Sequence, residues 1–185
     1  MNQSLNPYAA PKAQLRDTAD GPIAEPFFFA VSRFKLVLMT FGTFNLYLFY
    51  WFYKNWKYVQ WRGEELNAPV RTFFYSLTAY WLFRHVRSAL RDVDAGGTLP
   101  AGVLAIIVLL LSIIGAFPEP YFLVSLLSIL PILRVQSAVD EINLRKTPEA
   151  DANDRLTAWN YVWLVFGGIF YLLMIIGLVM GPQVS

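Results

Sequence analysis

The stretch WNYVWLVFGGIFYLLMIIGLVM, residues 159–180, contains no charged side chain. As a helix it is about 33 Å long, which is enough to cross a hydrocarbon core of about 30 Å. Trp159, Tyr161 and Trp163 lie at its start, and aromatic rings favour the headgroup layer of a membrane. Gly181 and Pro182 follow as a helix stop. This stretch predicts a membrane-spanning helix.

The composition of the chain agrees with lipid as the surrounding solvent. Of 185 residues, 56% are hydrophobic, 17% are aromatic and only 15% are charged, whereas roughly a quarter of the residues of an average globular protein are charged. The chain has no cysteine and a single histidine, His85. Disulfides, thiolate metal sites and histidine-rich metal sites are therefore excluded, and we predict no metal and no cofactor.

Further apolar runs predict an all-α, polytopic transmembrane bundle with about four spans. A single transmembrane domain covers residues 27–182, between a disordered tail (residues 1–26) and a short C-terminal tail (residues 183–185). Low hydrophobicity and frequent alanine and proline make the N-terminal tail unable to fold alone. The predicted spans are residues 34–53, 101–117, 121–135 and 159–180.

The segment 71–91 is more difficult to assign. Its uninterrupted apolar part, residues 72–83, gives about 18 Å of helix, which is short for the membrane core. We expect a re-entrant or interfacial helix, with a tilted span as the alternative. Ser32 is expected to cap the first helix and Gly63 to end it, and Pro131 is expected to kink the third span.

Lysine and arginine residues indicate the orientation, because short cytoplasmic loops are enriched in them. Residues 54–91 and the loop after the third span are rich in both types, whereas the turn at residues 118–120 and the C-terminal tail have neither. Both basic regions are predicted to be cytoplasmic. The N-terminal tail is then outside if segment 71–91 does not cross, and inside, with five spans, if it does.

Basic and aromatic residues alternate directly after the first span. Aromatic rings beside basic residues favour a membrane surface that carries anionic phospholipid. The same mixture can bind single-stranded nucleic acid, but the position beside a hydrophobic span favours lipid, and no nucleic-acid partner is predicted. The predicted lipid or interface residues are Lys54, Trp56, Lys57, Trp61, Arg62, Arg84 and Arg87.

The predicted spans carry no charged residue in their central parts, which disfavours a coupled transporter. Asn45 is expected to bond a neighbouring helix, and Gly177 and Gly181 have the spacing of a close helix contact. Asp140 and Glu141 are adjacent and point about 100° apart on a helix, so they do not form an acid/base pair. No catalytic motif is present, and no catalytic residue is predicted.

The run from Ser32 to Arg62 resembles the opening helix of a family of bacterial inner-membrane proteins that carry a domain of unknown function. The resemblance rests on Thr40-Phe41-Gly42 and on Tyr50-Trp51-Phe52-Tyr53-Lys54-Asn55-Trp56. The tail from Asn6 to Pro11, Asn-Pro-Tyr-Ala-Ala-Pro, and the segment Pro69-Val70-Arg71 also match. The resemblance implies a multi-pass protein of the bacterial inner membrane. It supplies no activity and no active site.

Three classes of function remain open from the sequence. The first is a non-catalytic accessory or scaffold subunit that binds lipid or a membrane partner, including a second copy of itself. The second is a passive channel or small-solute transporter, which a wetted cavity at Asn45 would favour. The third is a lipid-modifying enzyme, which needs polar residues to converge at the cytoplasmic interface. Its candidates are Arg71, Arg84, Arg87, Arg134, Asp140 and Glu141.

Overall fold

The computed structural model of the chain describes residues 24–118 and 121–180, and these ranges contain helices and no strand. The predicted all-helical fold is confirmed. The α-helices are α1 (Arg33–Gly42), α2 (Leu46–Trp61), α3 (Ala68–Phe73), α4 (Tyr75–Asp92), α5 (Ala101–Ile114), α6 (Ile129–Lys146) and α7 (Ala158–Met180). A 3₁₀ helix, Tyr121–Ser128, leads directly into α6. Most of the tail predicted at residues 1–26, together with residues 183–185, lies outside the described residues.

The predicted first span, residues 34–53, is wrong as a single helix. Its polypeptide turns back at Thr43–Asn45, where Phe44 (φ 49°) and Asn45 (φ 68°) are left-handed. The N–H of Asn45 donates to the carbonyl of Thr40 (2.9 Å) and that of Phe44 to Phe41 (3.3 Å). This pair of bonds is the Schellman ending of a helix. Residues 34–53 therefore form a helical hairpin, in which α1 and the first half of α2 are joined by the turn at Thr43–Asn45.

Contacts at the two ends of the bundle establish the direction of each helix. One end, which we call the base, joins Phe27 to Arg62 and Lys146, and Val93 to Arg145. The other end, which we call the tip, joins Asn45 to Ser125. Helices α2, α4 and α6 run from tip to base, and α1, α3, α5 and α7 run the other way. The first described residues, which precede α1, therefore lie at the base.

The loop between α2 and α4 follows this pattern. Arg71 on α3 lies over the ring of Trp56 (4.6 Å), and Tyr75 packs against Phe52 (5.1 Å). Helix α4 then descends to Val93 at the base. The predicted helix at residues 71–91 is therefore two helices that meet at Phe74, and both belong to the bundle rather than to a separate surface helix.

Helix boundaries reflect the capping residues. The Ser32 hydroxyl accepts the N–H of Lys35 (3.3 Å) at the start of α1, as predicted. Gly63 has φ +96° directly after α2, a conformation that favours glycine, so the predicted stop is confirmed. Pro131 lies in the first turn of α6, where a missing N–H costs no α-helical bond. The predicted kink is instead a change from 3₁₀ to α-helix.

Within residues 24–118 and 121–180, two helical stretches are long and apolar enough to cross a membrane, Tyr121–Lys146 and Ala158–Gly177, rather than the four predicted. Helix α5 is apolar but shorter. Helix α7 packs mainly on α1, and between Ala158 and Gly177 only Gly167 is buried. The remaining helices share one core whose largest buried side chains are Trp51, Trp56, Phe28, Phe52 and Phe83.

Candidate functional site

The exposed faces of the helices change from apolar to basic along the bundle. On α4, Leu77 is followed toward the base by Trp81 and then by Arg84, all three exposed. Exposed Leu127, at the end of the 3₁₀ helix, and exposed Leu130 on α6 precede exposed Arg134. This order of apolar, aromatic and basic side chains is the order found across a membrane interface. We call the basic residues at this level the collar: Lys54, Lys57, Arg62, Arg84, Arg87 and Arg134.

Lys54 and Lys57 lie on one stretch of α2 beside aromatic rings. The Lys54 ammonium is 5.5 Å from the ring centre of Tyr58, and that of Lys57 is 5.6 Å from Trp61. Trp61 is exposed. Neither lysine forms an ion pair within the described residues. Both ammonium groups thus lie beside aromatic rings, and the predicted contact with anionic lipid stays a prediction.

Arg62 has a second role that the sequence did not indicate. Its guanidinium lies 4.0 Å from the ring centre of Phe27 and 4.6 Å from that of Phe28, and it donates to the Phe27 carbonyl. Burial lowers the pKa of this guanidinium to about 10, which leaves it charged at neutral pH. Arg62 fixes the chain at the base, so its removal is a poor test of lipid binding.

The prediction that Trp56 lies at the membrane interface is wrong, because its side chain is 0% exposed. Arg71 covers one side of the indole, and His85 meets it edge-on at 6.1 Å. Trp56 continues the buried face of α2 that includes Leu48 and Phe52, at four-residue spacing. That spacing was visible in the sequence, but the alternation of aromatic and basic residues suggested a surface instead.

Helix α4 supplies the other predicted interface residues. Exposed Arg84 lines a hollow of about 340 Å³ with Trp81, His85 and Ser88. Arg87 is half-buried, and its Nε has no hydrogen-bond partner among the described residues. Burial lowers the pKa of His85, and Arg71, Arg62 and Arg84 lower it further while Glu64 opposes them. His85 is therefore neutral at physiological pH.

The helix-packing residues differ from the predicted pair. A side chain added at Gly177 would meet no described atom within 4 Å, so this glycine makes no close contact within the described chain, and Gly181 lies outside the described residues. A side chain on Gly167 would instead lie 1.7 Å from the carbonyl oxygen of Gly42, so these two glycines form the close contact of α7 with α1. Asn45 is buried, and its Nδ2 donates to the Ser125 hydroxyl (3.0 Å).

The acidic residues considered for an enzyme each have separate partners. Asp140 pairs with Arg33 (3.4 Å) and accepts from Gln136 (2.8 Å). Glu141 pairs with Arg145 (2.6 Å). Arg71 is occupied with Trp56. The described residues contain no cluster of three or more metal-ligating acidic or histidine side chains.

A groove between the α1–α2 hairpin and α7 was not predicted. Its basal part, about 470 Å³, has Lys35, Tyr47, Tyr50, Asn160 and Trp163 in its lining. A neighbouring part of about 440 Å³ shares Thr43, Leu46 and Trp163 and continues toward the tip. The only sequence signal for it was Lys35, a lysine at the start of the predicted span 34–53.

The chain was compared with family models, curated proteins and solved structures. No family model, no curated protein and no solved structure matches it.

Proposed function

We propose that this chain is a non-catalytic membrane protein that acts as an accessory or scaffold subunit and binds anionic phospholipid through its collar. The observation that carries the proposal is the segregation of the surface. Exposed apolar side chains predominate in the tip half of the bundle and on α7, whereas the exposed arginines lie toward the base, beside a few exposed apolar side chains such as Phe34 and Leu144. Following the resemblance noted above, we place it in the bacterial inner membrane as a multi-pass protein.

The proposed insertion has the base on the cytoplasmic side, because anionic lipid and the positive-inside bias both favour that leaflet. Helices α1–α2 and α3–α4 enter from this side and return to it. Helix α1 is 10 residues, or about 15 Å, and α5 is 14 residues, or about 21 Å, so both are shorter than a core of about 30 Å. The two described stretches long enough to cross are Tyr121–Lys146 and α7. We assign crossings to these two and to α5, which is apolar throughout and pairs with the first across a locally thinned bilayer, giving three crossings instead of the four expected. The N-terminal side is then cytoplasmic.

A partner in the membrane is supported by α7. Apart from the face that packs on α1, most side chains of this helix are exposed in the described structure. Lipid, a second copy or another membrane protein can cover such a surface. Affinity purification in mild detergent with identification of bound proteins tests this part: a stoichiometric membrane protein supports the accessory role, and its absence leaves the lipid-binding role to stand alone.

A passive channel is the second candidate. It requires polar groups on an open path, yet Asn45 is bonded to Ser125 and does not line the groove beside α7. The lipid-modifying enzyme has less support, because Asp140, Glu141 and Arg71 are bonded to three different partners. Both remain alternatives to the proposal.

The test neutralises collar residues that do not hold the fold together. The triple variant Lys54→Gln, Lys57→Gln, Arg84→Gln is compared with Lys54→Arg, Lys57→Arg, Arg84→Lys, which keeps every charge. Each charge near an anionic membrane surface contributes about 1 kcal/mol, so we expect the neutral variant to retain several-fold less phosphatidylglycerol after purification. Equal retention in both variants would contradict the proposal.

A further inference from the structure

Lys35 is an unusual residue in the wall of the groove beside α7. Its side chain is only 3% exposed, although it carries an ammonium group. Nζ donates to Asn153 Oδ1 (2.7 Å) and to the carbonyl oxygen of Arg155 (2.7 Å). An ammonium has three donors, so one remains. No described carboxylate lies within 4.0 Å of it, and Asp151 and Asp154 act on it only from farther away.

The groove around this ammonium is rich in hydrogen-bond donors. The hydroxyls of Tyr47 and Tyr50 and the indole N–H groups of Trp159 and Trp163 belong to its lining residues, and no acidic residue does. A buried charge without an ionic partner is costly. An anion bound here would gain charge-assisted bonds that the protein itself leaves unmade. This end of the groove therefore suits a phosphate group.

The other end of the groove has a different character. Beyond Trp163 it is lined by Phe44, Leu46, Phe122, Phe170 and Met174 with the glycine contact behind them. From Trp163 to Met174 the helix rises about 16 Å, close to half of the hydrocarbon core of about 30 Å. Its length and lining thus fit one acyl chain within a single leaflet.

We propose that the groove binds one anionic glycerophospholipid, with its phosphate at Lys35 and one acyl chain along α7 toward Met174. The inference rests on the proposed membrane function, because the acyl chain must enter from a bilayer that surrounds α7. The groove would be one specific lipid site, in addition to the lipid contacts proposed for the collar. Lys35 lies on the basal side of the bundle, since Arg33 in the same turn pairs with Asp140 in the second half of α6.

The site is tested on the full chain in mild detergent by native mass spectrometry, with phosphatidylglycerol and phosphatidylcholine of identical acyl chains. The wild type should retain one phosphatidylglycerol in preference to phosphatidylcholine. Lys35→Met removes the charge and keeps an apolar stem. Loss of a charge-assisted bond predicts roughly tenfold weaker retention of phosphatidylglycerol. Inorganic phosphate at the same concentration should not displace the lipid, because it lacks the acyl chain.

A second variant leaves Lys35 and its contacts with Asn153 and Arg155 intact. Leu46→Trp fills the groove where its two parts meet, and it should exclude both lipids. Leu110→Trp, on the exposed face of α5, is the matched control and should retain phosphatidylglycerol. The double variant Lys54→Met, Lys57→Met should also keep this one lipid.

The outcomes separate this site from the collar. Retention of the lipid by both Lys35→Met and Leu46→Trp would overturn the groove site, while a charge-dependent effect of the collar variants would still support the proposed function. A wild type without preference for phosphatidylglycerol, and unaffected by collar neutralisation, would overturn both. Loss in Lys35→Met and Leu46→Trp alone would support the groove.

Discussion

The carboxamide of Asn143 on α6 binds the backbone of Phe28 twice. Its Oδ1 accepts the Phe28 N–H (2.9 Å), and its Nδ2 donates to the Phe28 carbonyl (3.0 Å). The N–H of Phe29 is bound in the same way by Asn55 Oδ1 (3.2 Å). Segment 27–31 has no secondary structure of its own, so these side chains replace the missing backbone partners.

Replacement of Asn143 by alanine should release this segment. Two hydrogen bonds are lost and a buried N–H and carbonyl are left unpaired, so we expect a destabilisation of about 2–3 kcal/mol. The measurement is chemical unfolding in detergent, together with hydrogen exchange at Phe28 and Phe29. Leu144→Ala, at an exposed neighbour, should change stability little. Equal effects of the two variants would show that the Asn143 bonds are not important.

The Gly42–Gly167 contact predicts opposite effects for two adjacent glycines. Gly167→Ala forces α7 away from the Gly42 carbonyl, so a loss of about 1–3 kcal/mol is expected. Gly168→Ala meets nothing within 4 Å and should stabilise the exposed helix by about 0.5–1 kcal/mol. Thermal unfolding of both variants checks this. If Gly167→Ala unfolds at the same temperature as the wild type, the close contact is absent.

The hairpin arrangement predicts which residues face the cytoplasm. Because the chain has no cysteine, single cysteines can be probed with an impermeant thiol reagent in intact cells. Glu25→Cys and Gly97→Cys, both exposed at the base, should be protected. Ala116→Cys near the tip should be labelled. Labelling of Glu25→Cys with protection of Gly97→Cys would instead support a first segment that crosses the membrane.

His85 lies on the basal half of α4, outside the segments assigned as crossings, and its imidazole pKa is lowered below the usual 6.5, chiefly by burial. The unfolded chain therefore takes up a proton first as pH falls through about 6.5. The contribution of His85 to the free energy of unfolding is therefore fully present above about pH 6.5 and decreases below it. His85→Gln should reduce the loss of stability between pH 7 and pH 5, measured by thermal unfolding. An unchanged pH profile would contradict the role of His85.

The sequence predicted the elements whose signals are local. The start of α7 at Ala158 follows from the apolar run, and the ends of α1 and α2 follow from Ser32 and Gly63. Lys54 and Lys57 are at the surface beside aromatic rings, as their neighbours indicated. In each case the deciding residues lie within one or two turns of the feature.

The remaining features depend on contacts between distant residues. Phe44 occupies a left-handed position that glycine usually fills, so Gly42 and Asn45 were the only local signals of the turn in residues 34–53. Segment 27–31 is ordered by Asn143, which is 115 residues away from Phe28. Lys35 is hydrogen-bonded by Asn153 and Arg155, which lie in the loop between α6 and α7. Hydrophobic periodicity carries no information about such pairs.

The contact of α7 with α1 also constrains the order in which the protein can be completed during synthesis. Tyr171 donates to the carbonyl of Phe41, a partner translated 130 residues earlier. A ribosome paused after Lys146 has already produced every residue that holds segment 27–31 to Asn143 and Asn55. The face of the α1–α2 hairpin that packs against α7 is still exposed at that stage. We therefore expect the docking of α7 onto α1 to follow the packing of segment 27–31 in the nascent chain.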